Sequence, residues 1–331
     1  MSLIPHLACP QCGEGLQIRS AEWSGILDAD VLNGVLYCDR GLHEYTIDEG
    51  VPVLLPPDMS AEQKQVADVY SDKWRRIPGY GYDDAALEFQ REWYLQKFGW
   101  RTVDRFREFL LGQERVLDAG CGLGRDVKFY AENTNGLVFG VDISDSILVA
   151  NERLRHLPNV HLIRADMTRL PFRANYFDFI SSDQALHHTP DTRDSFNRLV
   201  DHVKPRGQIA IYVYKKKSPA REYADDMMRS YTTEMSYDDC AAFSSACALF
   251  GRTVAKLNLD LQRSIYWNLF KCFWDDRYDV TTNVLINMDW YHPKYAWRHS
   301  LDEVLSWYEK AGLAIQSTDV SDSGISIRGC K

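Results

Sequence analysis

Apolar residues recur through the middle of the chain in five short runs, each closed by polar residues. The first is Val116-Leu117, ending at Asp118-Ala119, and the second Leu137-Val138-Phe139-Gly140-Val141, ending at Asp142-Ile143. Val160 to Ala165 ends at Asp166-Met167, Tyr176 to Ile180 runs into Ser181-Ser182-Asp183-Gln184, and Gln208 to Tyr214 follows a Pro205-Arg206-Gly207 turn. Runs of this length bounded by turn residues read as strands. Between them, 124–133, 146–157 and 191–202 have helical spacing. Strand and helix in alternation predict an α/β fold with a doubly wound, mostly parallel sheet. In such sheets ligands collect at the carboxyl ends of the strands, so the five polar run-ends are expected to line one crevice.

The flanks carry other patterns. Ser60 with Gln63 reads as a capping box for a helix to about residue 76, with Val66, Val69, Tyr70 and Trp74 on one face. A second helix is expected over 84–98. Residues 301–311 repeat apolar positions at helical spacing and precede two strand-like runs, 313–320 and 324–329. The stretch 216–300 is helical in pattern and dense in Tyr, Trp and Phe, and its polar-aromatic segment from Asp289 to His299 has no helical period. An insertion at this point of the chain is expected beside the crevice, as a lid or substrate element.

The sharpest local signal is Asp118-Ala119-Gly120-Cys121-Gly122-Leu123-Gly124. Glycines let the backbone turn tightly and approach a ligand, while the helix starting near Arg125 aims its free N–H groups at the same space. A nicotinamide oxidoreductase, the first alternative, would show G-x-G-x-x-G/A; this chain has the large Arg125 where the third small residue belongs. About twenty residues on, Asp142 stands where a second-strand carboxylate accepts hydrogen bonds from ribose hydroxyls. Together the G-x-G-x-G loop and Asp142 resemble the class I, Rossmann-like S-adenosylmethionine (SAM)-dependent methyltransferases, of the type 11-like kind.

That resemblance implies a seven-stranded sheet whose last strand is antiparallel, and a cofactor site formed by Asp118, Ala119, Gly120, Cys121, Gly122, Gly124, Asp142, Ile143, Asp166, Met167, Asp183 and Gln184. SAM would be converted to S-adenosylhomocysteine (SAH) as the methyl passes to a small or medium-sized organic acceptor. Leu186-His187-His188-Thr189-Pro190 matches the family's usual segment after the fourth strand. His187, His188 and Asp183 are the candidate catalytic groups where a base is needed. Tyr70, Trp74, Tyr80, Tyr82, Trp93 and Tyr94 are candidates to cover the cationic sulfonium.

A second constellation, Cys9-Pro10-Gln11-Cys12-Gly13 and, about 25 residues on, Cys38-Asp39-Arg40-Gly41-Leu42-His43, has metal-ligand spacing. Cys9, Cys12, Cys38 and His43 would close a tetrahedron around a structural zinc, and the segment resembles the small zinc-ribbon family associated with methyltransferases. The expected organisation is therefore a ribbon over 1–57, a linker with cofactor-covering helices over 58–99, the SAM-binding core over 100–215, the insertion over 216–300, and a helix and strands completing the core over 301–331.

Charge bears on partners. The chain carries a net charge of −9. Its first 57 residues hold Arg19 and Arg40 against Glu14, Glu22, Asp28, Asp30, Asp39, Glu44, Asp48 and Glu49, a net of −6. Such a surface repels phosphate, which argues against the second alternative, a nucleic-acid methyltransferase docking through its ribbon, and favours a small-molecule acceptor. No run nears the length of apolar residues that spans a bilayer, and the unclustered cysteines fit a reducing compartment, so a cytoplasmic protein is expected.

Overall fold

The computed structural model describes residues 3–23, 31–38, 40 and 42–331. Asp28, Asp30, Asp39 and Gly41 of the N-terminal segment lie outside them. The chain opens with an antiparallel meander, β1 (Leu16–Trp23), β2 (Val31–Cys38), β3 (Glu44–Asp48) and β4 (Val51–Leu54). Three helices follow: α1 (Ala61–Arg76), α2 (Asp84–Lys97) and α3 (Val103–Leu111). The expected alternation then runs β5 (Arg115–Ala119), α4 (Arg125–Ala131), β6 (Leu137–Asp142), α5 (Ser146–Leu154), β7 (Val160–Ala165), β8 (Phe177–Ser182), α6 (Thr192–His202) and β9 (Val203–Lys215). The insertion contributes α7 (Pro219–Thr232), α8 (Tyr237–Val254), α9 (Leu259–Asn268) and α10 (Val280–Tyr291). The short β10 (Arg298–His299), α11 (Leu301–Lys310), β11 (Ala314–Val320) and β12 (Gly324–Cys330) end the chain.

Among the described residues the strands form one mixed sheet of 12, larger than the seven expected. Its order is β1-β2-β3-β4-β7-β6-β5-β8-β9-β12-β11, with β10 beside β9. The strands β5 to β9 are parallel, and β12 joins β9 antiparallel. The extra strands enter because β4 pairs parallel with β7, Val53 opposite Arg164 and Leu54 opposite Ala165. A seven-stranded sheet would leave that edge of β7 with unpaired backbone groups, and the N-terminal meander satisfies them.

Alternation along each strand divides the core. Leu117, Phe139, Ile163, Ile180 and Ile211 face one side with Phe196 of α6 and Trp307 and Tyr308 of α11. Val116, Val138, Leu162, Phe179 and Ala210 face the other with Tyr94 and Leu95 of α2 and Phe106 and Leu110 of α3. Helices therefore cover both faces, as a buried parallel sheet requires. Leu36, Tyr45, Ile47 and Leu54 of the meander belong to the first of these cores, while Cys240, Cys247, Leu285, Met288 and Tyr291 of the insertion form their own. No helix among the described residues is long and apolar enough to cross a membrane. The chain winds outward from β5 to β7 and then crosses back to β8 and β9, so the switch point lies between β5 and β8. A crevice opens there.

Candidate active site

The loop leaving β5 is shaped by its glycines. Gly120, Gly122 and Gly124 have φ of 89°, 51° and 80°, the left-handed region that a Cβ disfavours. A Cβ on Gly120 would stand 2.3 Å from Cβ of Ala185 and 2.9 Å from Cε of Met167. Only glycine lets the turns after β5, β7 and β8 close to this distance. The backbone N–H groups of Gly120 and Cys121 donate to the carbonyl of Val141 at 2.7 and 3.0 Å, which ties the loop to β6.

Asp142, the last residue of β6, braces the same loop. One carboxylate oxygen accepts the Gly122 N–H at 2.8 Å; the other accepts the backbone N–H and the hydroxyl of Ser144 at 2.8 and 2.6 Å. Burial pushes its carboxyl up from the ordinary range, and these three donors work against that rise. A carboxylate has about four acceptor positions, so Asp142, which lines the crevice, keeps capacity for a further donor.

The crevice is a cavity of about 220 Å³. Of the residues expected from sequence, Asp118, Gly120, Cys121, Gly122, Asp142, Ile143, Asp166, Met167, Asp183, Gln184 and His188 line it. Ala119 is instead part of the core, and Gly124 is the N-cap of α4, packed against Leu154 and Ala150. Asp118 is buried, and that burial, followed by the charges of Asp126 and Asp183, holds its carboxyl well above the usual carboxylate range. Asp126 is pushed up to about 6 for the same reasons, burial first and then Asp183.

The three catalytic candidates separate. Asp183 is committed to an ion pair: Nζ of Lys97 donates to its two oxygens at 2.7 and 2.6 Å, and that ammonium lies 3.3 Å from the Trp93 ring centroid. Burial lowers the pKa of Lys97 while Asp183 opposes the fall. His188 donates from Nδ1 to the Tyr295 carbonyl at 2.6 Å, which leaves Nε2 as the lone-pair nitrogen. Burial drives its pKa down to about 3, so the ring is neutral near pH 7. His187 does not reach the cavity. It is fully buried against Tyr214, ring centroids 3.7 Å apart, which removes it from contact with a substrate.

Helix α1 lies over the opening. Its capping box is present as expected, and Gln63 does double duty: its Oε1 accepts the Ser60 N–H at 3.0 Å while its Nε2 donates to Asp166 at 2.8 Å. Arg75 pairs with Asp145 at 2.7 Å and Lys73 with Asp289 of α10. Val66, Tyr70, Lys73 and Trp74, on one helical face, therefore look into the cavity. Of the aromatic candidates Tyr70, Trp74 and Tyr80 line it. Tyr82 donates to the Leu123 carbonyl at 2.5 Å, Trp93 lies beneath Lys97, and Tyr94 is buried in the core with its hydroxyl 3.1 Å from that of Ser181. The insertion reaches the site through Asp289 and the Tyr295 carbonyl. Sequence reasoning did not find Gln63, Lys73, Lys97 or Asp126 as site residues. Gln63 was visible only as a cap, and no motif in the sequence singles out the two lysines.

A profile of known proteins matches this part of the chain. Residues 117–211 match the methyltransferase domain family. Relatives include phosphoethanolamine N-methyltransferase 2 of Caenorhabditis elegans, 30% identical over 140 residues that form 41% of this chain and 31% of that protein. Cycloartenol-C-24-methyltransferase of Arabidopsis thaliana is 24% identical over 165 residues, 47% of this chain and 48% of that protein. The chain thus spans less than half the length of these curated relatives. Among solved structures, magnesium protoporphyrin IX methyltransferase from Synechocystis PCC 6803 with bound SAM is 15% identical, with 83% of this chain and 100% of that one covered and a TM-score of 0.46.

Outside the region matched by that family, the four expected metal ligands come together. The ligand atoms of Cys9, Cys12, Cys38 and His43 all lie within 4.8 Å of one another. Nδ1 of His43 is 3.4 Å from Sγ of Cys9 and 3.6 Å from Sγ of Cys38. Tetrahedral zinc with Zn–S of about 2.3 Å and Zn–N of about 2.0–2.1 Å sets an S–N edge of roughly 3.5 Å, so the donor set fits that ion. Tyr45 and Gln11 stand behind it: the Tyr45 hydroxyl is 3.2 Å from Sγ of Cys9, and Nε2 of Gln11 donates to that hydroxyl at 3.1 Å.

Proposed function

We propose that this chain is a SAM-dependent methyltransferase that transfers a methyl group by in-line displacement to a small or medium-sized organic acceptor. The observation that carries the reading is Asp142, which braces the glycine loop through Gly122, lines the cavity and keeps capacity for a further donor. In this reading Asp142 takes the ribose hydroxyls, the Gly120-Cys121-Gly122 backbone lies along the nucleoside, and Ile143 and Met167 hold the adenine beside Asp166. Asp118 and the Lys97-bound Asp183, with Gln184, receive the amino-acid end. The matched family and the activities named for the relatives support it.

When bound, SAM supplies an electrophilic methyl on a cationic sulfur. The protein's task is alignment and exclusion of water, since positive charge fades at sulfur as the methyl leaves. Helix α1 lies over the cavity and α10 supplies Asp289 at its wall, and both serve that task. His188, neutral and with Nε2 unprotonated, can accept a hydrogen bond from an acceptor N–H or O–H and orient it. We further infer that Cys9, Cys12, Cys38 and His43 hold a zinc ion. Four protein ligands leave no open position, so its role is structural.

The reading is tested by incubating the protein with SAM and a small-molecule fraction of a cell extract, with an RNA fraction alongside, and measuring SAH. We expect SAH to form with the small-molecule fraction. No SAH with either fraction, on protein that binds SAM, would mark the chain as a cofactor-holding scaffold and overturn the catalytic reading.

A further inference from the structure

The cavity contains a cation site that the protein fills with its own side chain. The ammonium of Lys73 lies 4.0 Å from the ring centroid of Trp74, 5.5 Å from that of Tyr80 and 6.0 Å from that of Tyr70, and it pairs with Asp289. Three aromatic faces and a carboxylate around one ammonium are the arrangement that recognises organic cations. All five residues line the cavity. A purely structural role accounts poorly for this. Lys73 is only 6% exposed, burial lowers its pKa despite Asp289, and a buried ion pair is often no more stabilising than an apolar side chain of similar volume.

Charge points the same way. Among the described residues, six aspartates line the cavity against Lys73 and Arg125. Bound SAM, with a sulfonium, an ammonium and a carboxylate, would add a single net positive charge; Asp183 is already paired with Lys97 and burial favours the neutral form of Asp118, so the unmet demand for a cation centres on Asp289 once Lys73 leaves it. An anionic acceptor would meet that field unfavourably, whereas a cationic one would complete it.

Resting on the reading of this cavity as a SAM site, we propose that the acceptor carries an ammonium group, which displaces Lys73 from Asp289 and settles between Trp74, Tyr80 and Tyr70. Lys73 then acts as a resident surrogate that keeps Asp289 paired until the acceptor arrives. Its effect on binding has a definite sign: it competes with a cationic acceptor, but it would be the handle for an anionic one.

The probe is tetramethylammonium chloride, titrated into SAM-saturated protein against an equal concentration of sodium chloride. Its nitrogen has no lone pair and cannot be methylated, so binding alone is read, and SAM already occupies the sulfonium position. We expect saturable binding, weakened at least tenfold by Asp289→Asn and by Trp74→Leu, and tightened several-fold by Lys73→Met. Lys73→Gln, which keeps a hydrogen bond to Asp289, should tighten binding in the same direction and serves where Lys73→Met does not fold. Unchanged or weaker binding in the Lys73 variants, or Lys73-dependent binding of inorganic phosphate in place of tetramethylammonium, would overturn the proposal. SAM affinity measured on the same samples separates the two readings: loss of SAM binding strikes the cofactor assignment, whereas SAM binding without the tetramethylammonium effect strikes only the ammonium site.

Discussion

Asp142 is held by Gly122 and Ser144, so in the proposed reading its carboxylate would meet a ribose already oriented. Asp142→Ala should weaken SAM binding by about 1–3 kcal/mol, the range for lost hydrogen bonds to a charged group. Calorimetry reads this directly, and unchanged affinity would contradict the ribose assignment. Asp126 gives a pH dependence. Burial and Asp183 raise its pKa to about 6, so below that pH it is neutral in the cavity and above it is charged. SAM carries one more positive charge than SAH. The affinity ratio favouring SAM should therefore rise between about pH 5 and about pH 7.5, and Asp126→Asn should flatten the rise. Asp118, Asp142 and Asp166 were legible in the sequence because each closes an apolar run, and strand ends in a parallel sheet converge. Lys97 and Lys73 were not: each owes its role to a carboxylate distant in sequence, Asp183 and Asp289 respectively, and no periodicity encodes that pairing.

At the scale of elements, the strands of the central sheet and the capped helix α1 were readable because their signals are local: apolar runs of strand length, and Ser60 with Gln63. The union of β4 with β7 was not readable, since strand pairing depends on which edge is left open once the sheet has formed. That union has a consequence for the proposed zinc site. The segment holding Cys9, Cys12, Cys38 and His43 shares its core with β5 to β9, so metal removal should reach beyond that segment. Structural zinc contributes on the order of 10 kcal/mol to the folding of small units. Emission spectrometry should find one zinc per chain, and Cys12→Ser or a strong chelator should lower the melting temperature of the main calorimetric transition. A metal-free protein with an unchanged main transition would refute the zinc assignment.

For the whole molecule, the arrangement reads as one cavity closed from several directions. The glycine loop forms its floor, α1 its cover, and the insertion supplies Asp289 at its wall. The insertion's position beside the crevice followed from where it interrupts the chain, but the contact through α10 depends on how four helices pack on one another, which composition does not specify. Every statement about catalysis above depends on the cavity preferring SAM to a dinucleotide. Isothermal titration of the folded protein with SAM and, in parallel, with NAD tests this most directly. The account predicts saturable heat with SAM at one site per chain and none with NAD; no heat with SAM, or tighter binding of NAD, would contradict it.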